Sequence, residues 1–235
     1  MVHRLFQPFF LLQLLCISFL FGCKPPNQEI ITESKKVGTT IEQELPLEVT
    51  ELDYDTTQWK EITERSGVVL DIRYATDNNF TKNQIYPCPR CFLRPMMADK
   101  ILTLQQDINR KYGMRLKLFD CYRPRPAQQK LWNIVPDARY VTPPTNGSMH
   151  NRGLAVDITL VDKDGKELDM GTEFDFFGPE AYTTNTNLPV DVLKNRKVLT
   201  KLMEIHGMKG IRTEWWHFSL RTENAQLDDW EWECE

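Results

Sequence analysis

The residues able to do chemistry are concentrated in two short stretches, Ser148-Met149-His150-Asn151-Arg152-Gly153-Leu154-Ala155-Val156-Asp157 and Glu214-Trp215-Trp216-His217-Phe218. The chain has four histidines; His3 falls in an N-terminal leader, and His150 and His217 are two of the other three. Each shares its stretch with a carboxylate. Two neutral imidazoles and one carboxylate form a ligand set that leaves zinc a fourth position for water, and a further carboxylate alongside can serve as base. That set points to metal-assisted hydrolysis. His206, next to Gly207, reads instead as a residue at a helix C-terminus, where the helix dipole favours it.

These residues need elements to hold them. Val68 to Tyr74 mixes β-branched and alternating residues and predicts a strand entering the site, followed by the loop Asp77 to Phe80. Pro95 to Tyr112 carries Met96, Met97, Ile101, Leu104 and Ile108 at helical spacing, with Pro95 at its start and Gly113 just past its end, and predicts a helix. Met114 to Tyr122 reads as a strand ending at Arg123-Pro124, and Ala127 to Trp132 as a second helix. Ile134 to Met149, with Pro136, Pro143, Pro144 and Asn146-Gly147, has a loop composition that would present Ser148 and His150 at the mouth of a pocket. Gly153 to Val161 predicts a strand with Leu154, Val156, Ile158 and Leu160 on one face and Asp157 on the other, turning at Asp164-Gly165 into Lys166 to Leu168. Pro189 to His206 predicts a helix whose buried stripe is Val192, Leu193, Leu199, Leu202 and Ile205. Ile211 to Leu220 gives a last strand. Strands and helices without regular βαβ alternation imply an α+β fold: a single domain with a largely antiparallel central sheet flanked by helices and the zinc site on the sheet.

At the N-terminus, residues 1–22 carry His3 and Arg4 and then the apolar run Pro8 to Phe21, too short to span a bilayer comfortably and suited to a secretory signal. Leu20-Phe21-Gly22-Cys23 resembles a bacterial lipobox, which would make Cys23 a lipidated N-terminus, residues 23–54 a flexible tether, and the protein an exported, membrane-anchored lipoprotein; a plain signal peptide is the alternative. The polar, acidic composition of the tether fits that role. The globular domain occupies residues 55–235, its compact part beginning near Trp59. With Lys+Arg at 29 and Asp+Glu at 33, the formal charge of −4 offers no basic field for nucleic acid. No protein partner is implied.

Apart from Cys16 in the leader and Cys23, the cysteines are Cys88, Cys91, Cys121 and Cys234. Export permits disulfides, and four cysteines allow three full pairings. Cys88-Pro89-Arg90-Cys91 resembles half of a zinc knuckle but has no second pair to complete it. A Cys91–Cys121 bridge is the pairing expected here, because Cys121 lies inside a site motif where a loop could be pinned.

Asp120-Cys121-Tyr122-Arg123-Pro124, Ser148-x-His150-x-x-Gly153-x-Ala155-x-Asp157, Phe174-Asp175-Phe176 and Glu214-Trp215-Trp216-His217 resemble, in that order, the motifs of D-alanyl-D-alanine dipeptidases of the VanX type. Asp71-Ile72-Arg73-Tyr74-Ala75-Thr76 with Asn79-Phe80-Thr81 resembles that family's first motif. The resemblance implies one Zn2+ held by His150, Asp157 and His217, Glu214 as general base, and Arg123 steadying the oxyanion. It further implies that Asp175 and Tyr74 hold the ammonium of a small D,D-dipeptide while Ser148 holds its carboxylate. A pocket that pairs both ends of a dipeptide disfavours a longer chain, because an unpaired buried charge is costly. Other readings are an exported zinc D,D-carboxypeptidase acting on peptidoglycan stems, an inactive zinc-binding lipoprotein, and a non-haem iron oxygenase. The iron reading fits poorly, since its usual first ligand pair is more closely spaced and Glu214 would have no task. Trp215 and Trp216 read as packing that walls the site.

Overall fold

A computed structural model describes residues 52–222 and 225–234. The leader, the Cys23 anchor and nearly all of the expected tether lie outside them. In chain order the elements are β1 (Lys60–Ile62), β2 (Val69–Leu70), β3 (Cys91–Leu93), α1 (Pro95–Tyr112), β4 (Arg115–Asp120), α2 (Arg125–Ile134), β5 (Ala155–Val161), α3 (Val190–Ile205), β6 (Lys209–Gly210) and β7 (His217–Ser219), with short 3-10 turns between. Five strands form the main sheet in the order β2-β4-β5-β7-β6, and β1 pairs with β3 in a separate ribbon. Only β2 and β4 run parallel; β4–β5, β5–β7 and β6–β7 are antiparallel. This is the mixed, largely antiparallel α+β arrangement that the sequence implied.

Helix α1 has the bounds read from the sequence, and Gly113 ends it in a left-handed turn, φ 65°, donating its N–H to the Asn109 carbonyl. Its buried seam is Met97, Ile101, Leu104 and Ile108, spaced four, three and four residues apart as a helix face requires. Met96, one step round the helix, is exposed. The hairpin at Asp164-Gly165 forms as expected, with Leu168 N–H donating to Leu160 O at 2.9 Å.

Three expectations need correction. The strand read over Val68 to Tyr74 is only Val69–Leu70; Arg73–Ala75 then coils into a 3-10 turn, which buries Tyr74 and turns its carbonyl to accept from the amides of Ile85 and Tyr86. In α3 the buried stripe is Val192, Arg196, Leu199 and Met203, while Ile205 is 67% exposed and Leu193 and Leu202 only half-buried. Arg196 holds a core position because its guanidinium donates to the carbonyls of Met170 (2.7 Å), Glu180 (2.9 Å) and Tyr182 (3.3 Å), so a charged side chain ties loop carbonyls to the helix. The last strand, expected over Ile211 to Leu220, is confined to His217–Ser219; residues 211–216 are irregular. Strand β5 is buried at every residue, so Asp157 and Thr159 lie on a covered face and not a wet one.

The C-terminal segment forms a strap over the β1–β3 side. Trp230 stacks on Trp59 (5.2 Å between rings) and meets Phe92 edge-on, while Trp232 meets Tyr86 edge-on. Disulfides join Cys91 to Cys121, as expected, and Cys88 to Cys234. Removing a native bridge costs a small domain about 2–5 kcal/mol, so Cys234→Ser should lower the urea midpoint measurably and steepen the slope, because the unfolded chain freed of its long loop exposes more surface.

Candidate metal centre and substrate cavity

Sheet register assembles the centre. Asp157 on β5 lies directly opposite His217 on β7 and opposite Asp120 on β4, so side chains from residues far apart in the sequence meet on one face. Between Leu118 and Asp120 the β4–β5 register shifts by one residue. Without that bulge Phe119 would stand opposite Asp157; the extra residue brings a carboxylate there. His150 arrives from the neighbouring 3-10 turn, His150–Arg152, which Gly153 closes at φ 66°. A Cβ on Gly153 would stand 2.5 Å from the Trp59 ring, so both the backbone angle and the space require glycine.

His150 Nε2, His217 Nδ1 and Asp157 Oδ1 form a triangle with sides of 3.0, 3.1 and 3.2 Å. All three residues are buried. Tetrahedral zinc with bonds of about 2.0–2.2 Å spaces its ligand atoms about 3.3–3.6 Å apart, within small side-chain movements of this triangle. His150 Nδ1 lies 2.7 Å from the Cys121 carbonyl, which fixes the ring so that, when neutral, Nε2 turns its lone pair to the centre. Charge favours a cation there too. Burial opposes ionisation of Asp157, but His150 and His217 hold its carboxyl far below the usual range; burial lowers the His150 basicity, yet Asp157 and Asp120 raise it overall. Both shifts express a field that stabilises positive charge between these residues. Together, the donor types, spacing and field match the requirements of a divalent metal.

Glu214 precedes β7 in the irregular segment, and that departure from strand geometry lets residues three apart converge: Glu214 Oε2 lies 3.9 Å from His217 Nδ1. Burial lifts its carboxyl to about 8, with His217 opposing the rise. The Arg123 guanidinium is buried, donating from Nε to Asp120 Oδ2 at 2.9 Å and from Nη1 to Gln128 Oε1 at 3.0 Å, while its Nη2 stands 3.8 Å from Asp157 Oδ2. Tyr74 donates its hydroxyl to Asp175 Oδ2 at 2.9 Å, and Asp175 sits in the left-handed region, φ 61°, which a non-glycine residue seldom adopts. All eight residues picked from the sequence, Tyr74, Arg123, Ser148, His150, Asp157, Asp175, Glu214 and His217, line one cavity of about 550 Å3.

Two supporting residues were missed. Asp120 lies in a quoted motif but received no role; it is fully buried, binds Arg123, and accepts the Tyr86 hydroxyl at 2.7 Å. An acid three residues before an arginine in a turn was the available signal. Asn151, also fully buried, accepts from Ser148 N–H (2.7 Å) and Oγ (3.2 Å), donates to the Arg123 carbonyl (2.6 Å), and its own carbonyl accepts from the strap at Asp228 N–H (2.9 Å). Nothing in its sequence context marked it. Asn151→Ala takes the side-chain partner from Ser148 and from the Arg123 carbonyl while keeping the backbone bond from Asp228, and should cost about 1–3 kcal/mol per buried group that water cannot reach, read from urea midpoints.

Asp175 sets a pH dependence. Burial first, then the charge on Asp157, lifts its carboxyl to about 8. An unfolded aspartate titrates near 3.9, so the folded chain holds a proton that the unfolded chain has released. This contribution is complete below about pH 4 and is lost as pH rises towards 8. In metal-free protein, Asp175→Asn should therefore gain stability relative to the parent at pH 8 compared with pH 5; an unchanged difference between the two pH values would contradict the assignment.

Comparison with known proteins places residues 59–232 in a match to the family described as D-ala-D-ala dipeptidase, peptidase M15. The chain is 39% identical over 153 residues, 64% of its length and 78% of the relative's, to the D-alanyl-D-alanine dipeptidase of Escherichia coli (strain K12). It is 30% identical over 178 residues, 67% of its length and 88% of the relative's, to that of Enterococcus faecium. To the one from Streptomyces coelicolor (strain ATCC BAA-471 / A3(2) / M145) it is 28% identical over 181 residues, again 67% and 88%.

Proposed function

Because this chain belongs to the D-ala-D-ala dipeptidase family of metal-dependent peptidases, we propose that it hydrolyses D-alanyl-D-alanine with one zinc ion held by His150, Asp157 and His217 and with Glu214 as general base. The observation that carries this reading is the convergence of two imidazole nitrogens and one carboxylate oxygen at about 3 Å beside a further carboxylate whose proton affinity is raised.

Zinc, when bound, acidifies water and polarises the scissile carbonyl. Glu214 takes a proton from the attacking water and passes it to the leaving amine; a divalent cation held by His150, Asp157 and His217 would lower its proton affinity from the level set by burial. Arg123 supplies a permanently charged donor as negative charge grows on the carbonyl oxygen, and Asp120 keeps that guanidinium aimed. Asp175, oriented by Tyr74, gives up the proton that burial keeps on it as the substrate ammonium arrives, and pairs with that charge. Ser148, held by Asn151, pairs with the carboxylate. Both ends of a dipeptide are then satisfied, and a longer peptide would leave Asp175 without its charged partner.

Purified zinc-loaded protein should release D-alanine from D-Ala-D-Ala at least about a hundredfold faster, by kcat/KM, than from a pentapeptide stem ending in D-Ala-D-Ala, since a site built for a charged group discriminates by about 10⁴–10⁵ when that group is absent. The opposite preference would make it a D,D-carboxypeptidase.

The protein is also proposed to be exported and anchored through a lipid on Cys23. The Cys88–Cys234 and Cys91–Cys121 bridges support export, because such bonds persist in oxidising compartments. Among the described residues no helix is long and apolar enough to cross a membrane. Cys23→Ala should move the protein from the detergent phase to the aqueous phase on Triton X-114 partition.

A further inference from the structure

The cavity has an aromatic wall. Phe177 packs against Phe80 with ring centres 5.0 Å apart and stacks on Tyr140 at 4.8 Å with planes 26° apart. All three rings line the cavity that holds Arg123, His150 and Glu214. They come from three loops, and none lies in a helix or strand. Phe177 is 36% exposed, so part of this aromatic surface faces water. A cavity of about 550 Å3 falls in the range, about 300–1,000 Å3, that encloses ligands much larger than alanyl-alanine.

The position of the wall says which part of a substrate it meets. Phe80 also packs edge-on against Tyr74, ring centres 6.2 Å apart, and Tyr74 carries the hydrogen bond to Asp175. A dipeptide whose ammonium sits on Asp175 has its first Cα one bond from that nitrogen. Its first side chain branches there, beside the Tyr74 ring against which Phe80 packs, with Phe177 and Tyr140 beyond. Covering a phenyl or isobutyl group there removes apolar surface from water on both partners, and edge or offset ring contacts add to it.

We propose that Phe80, Tyr140 and Phe177 form a side-chain subsite that selects D,D-dipeptides whose N-terminal residue is large and apolar, with aromatic side chains preferred. The inference rests on the dipeptidase reading above and deepens it.

The test compares D-Phe-D-Ala, D-Leu-D-Ala and D-Ala-D-Ala on zinc-loaded protein. The kcat/KM for D-Phe-D-Ala should exceed that for D-Ala-D-Ala by about tenfold or more, since each added methylene in an apolar pocket is worth about 10–200-fold. Phe177→Ala and Tyr140→Ala should each lower that ratio several-fold. A second readout needs no turnover: in zinc-loaded Glu214→Ala protein, calorimetry should give a tighter Kd for D-Phe-D-Ala than for D-Ala-D-Ala by a similar factor. A ratio at or below one, or a ratio that neither substitution changes, overturns the subsite. Equal cleavage of N-acetyl-D-Phe-D-Ala overturns the dipeptidase reading on which the subsite rests, because no ammonium would then be needed. If the zinc-loaded protein cuts none of these dipeptides, the dipeptidase reading itself fails, an outcome distinguishable from loss of the preference alone.

Discussion

Glu214→Ala protein is expected to retain one equivalent of zinc and to lose turnover of D-Ala-D-Ala by about 10²–10⁴-fold in kcat, the usual contribution of a positioned acid–base group. The reason is geometric. Glu214 lies 3.9 Å from His217 Nδ1 and outside the three-atom triangle, so its removal takes away a proton carrier and leaves every ligand atom in place. His217→Ala should behave oppositely. It removes one corner of the triangle and leaves Asp157 facing a single imidazole, so metal content falls along with activity. Metal analysis after dialysis, together with kcat on protein reloaded with zinc, separates the two roles. Equal loss of metal in both variants would show that Glu214 is a ligand, and the proton-transfer role would have to be reassigned.

The largest loss of stability is expected from Asp120→Ala. This fully buried carboxylate binds Nε of Arg123, accepts the Tyr86 hydroxyl and stands 3.5 Å from His150 Nδ1. Its removal strands a buried guanidinium and a buried phenol together. Breaking one side of a buried pair typically costs about 3–5 kcal/mol, a large fraction of the stability of a single domain. Urea denaturation of the metal-free protein should register a lowered midpoint of that size, and the surviving folded fraction should show weakened activity because Arg123 is no longer aimed. Asp120→Asn, which keeps an acceptor for Tyr86, should lose less. A midpoint within about 0.5 kcal/mol of the parent in Asp120→Ala, the range of ordinary surface changes, would mean that water or another partner rescues Arg123.

What was legible in the sequence follows from physics that acts locally. Helix α1 could be bounded to the residue because its seam repeats at helical spacing and Pro95 and Gly113 punctuate it. The cavity residues could be picked because scarce residue types, histidine above all, sit in motifs that match a known pattern. The failures came where tertiary packing overrides local pattern. Val68 to Tyr74 alternates like a strand, yet the chain bends after Leu70 so that Tyr74 can reach Asp175. Ile205 has the periodicity of a core residue, but the packed seam of α3 runs through Arg196, whose value lies in carbonyls contributed by a distant loop. Residues three apart on an ideal strand face opposite sides, and only the irregular residues 211–216 let Glu214 and His217 converge. The bulge at Phe119 and the network of Asn151 depend on partners in other strands and in the strap, which no local window contains.

The strap carries a consequence about order in time. His217 is the last of the three ligands along the sequence, yet the Asp228 amide that anchors the Asn151 carbonyl, the Leu227 side chain against Gly147, and the cysteine that clasps the loop at Cys88 all come later. A ribosome completes the ligands before it makes the brace behind them. A nascent chain stopped at residue 222 would own every atom needed to grip a cation while lacking the buttress that keeps His150 and Ser148 in register. The buttress behind the candidate metal centre is therefore the last part of the described chain to be made.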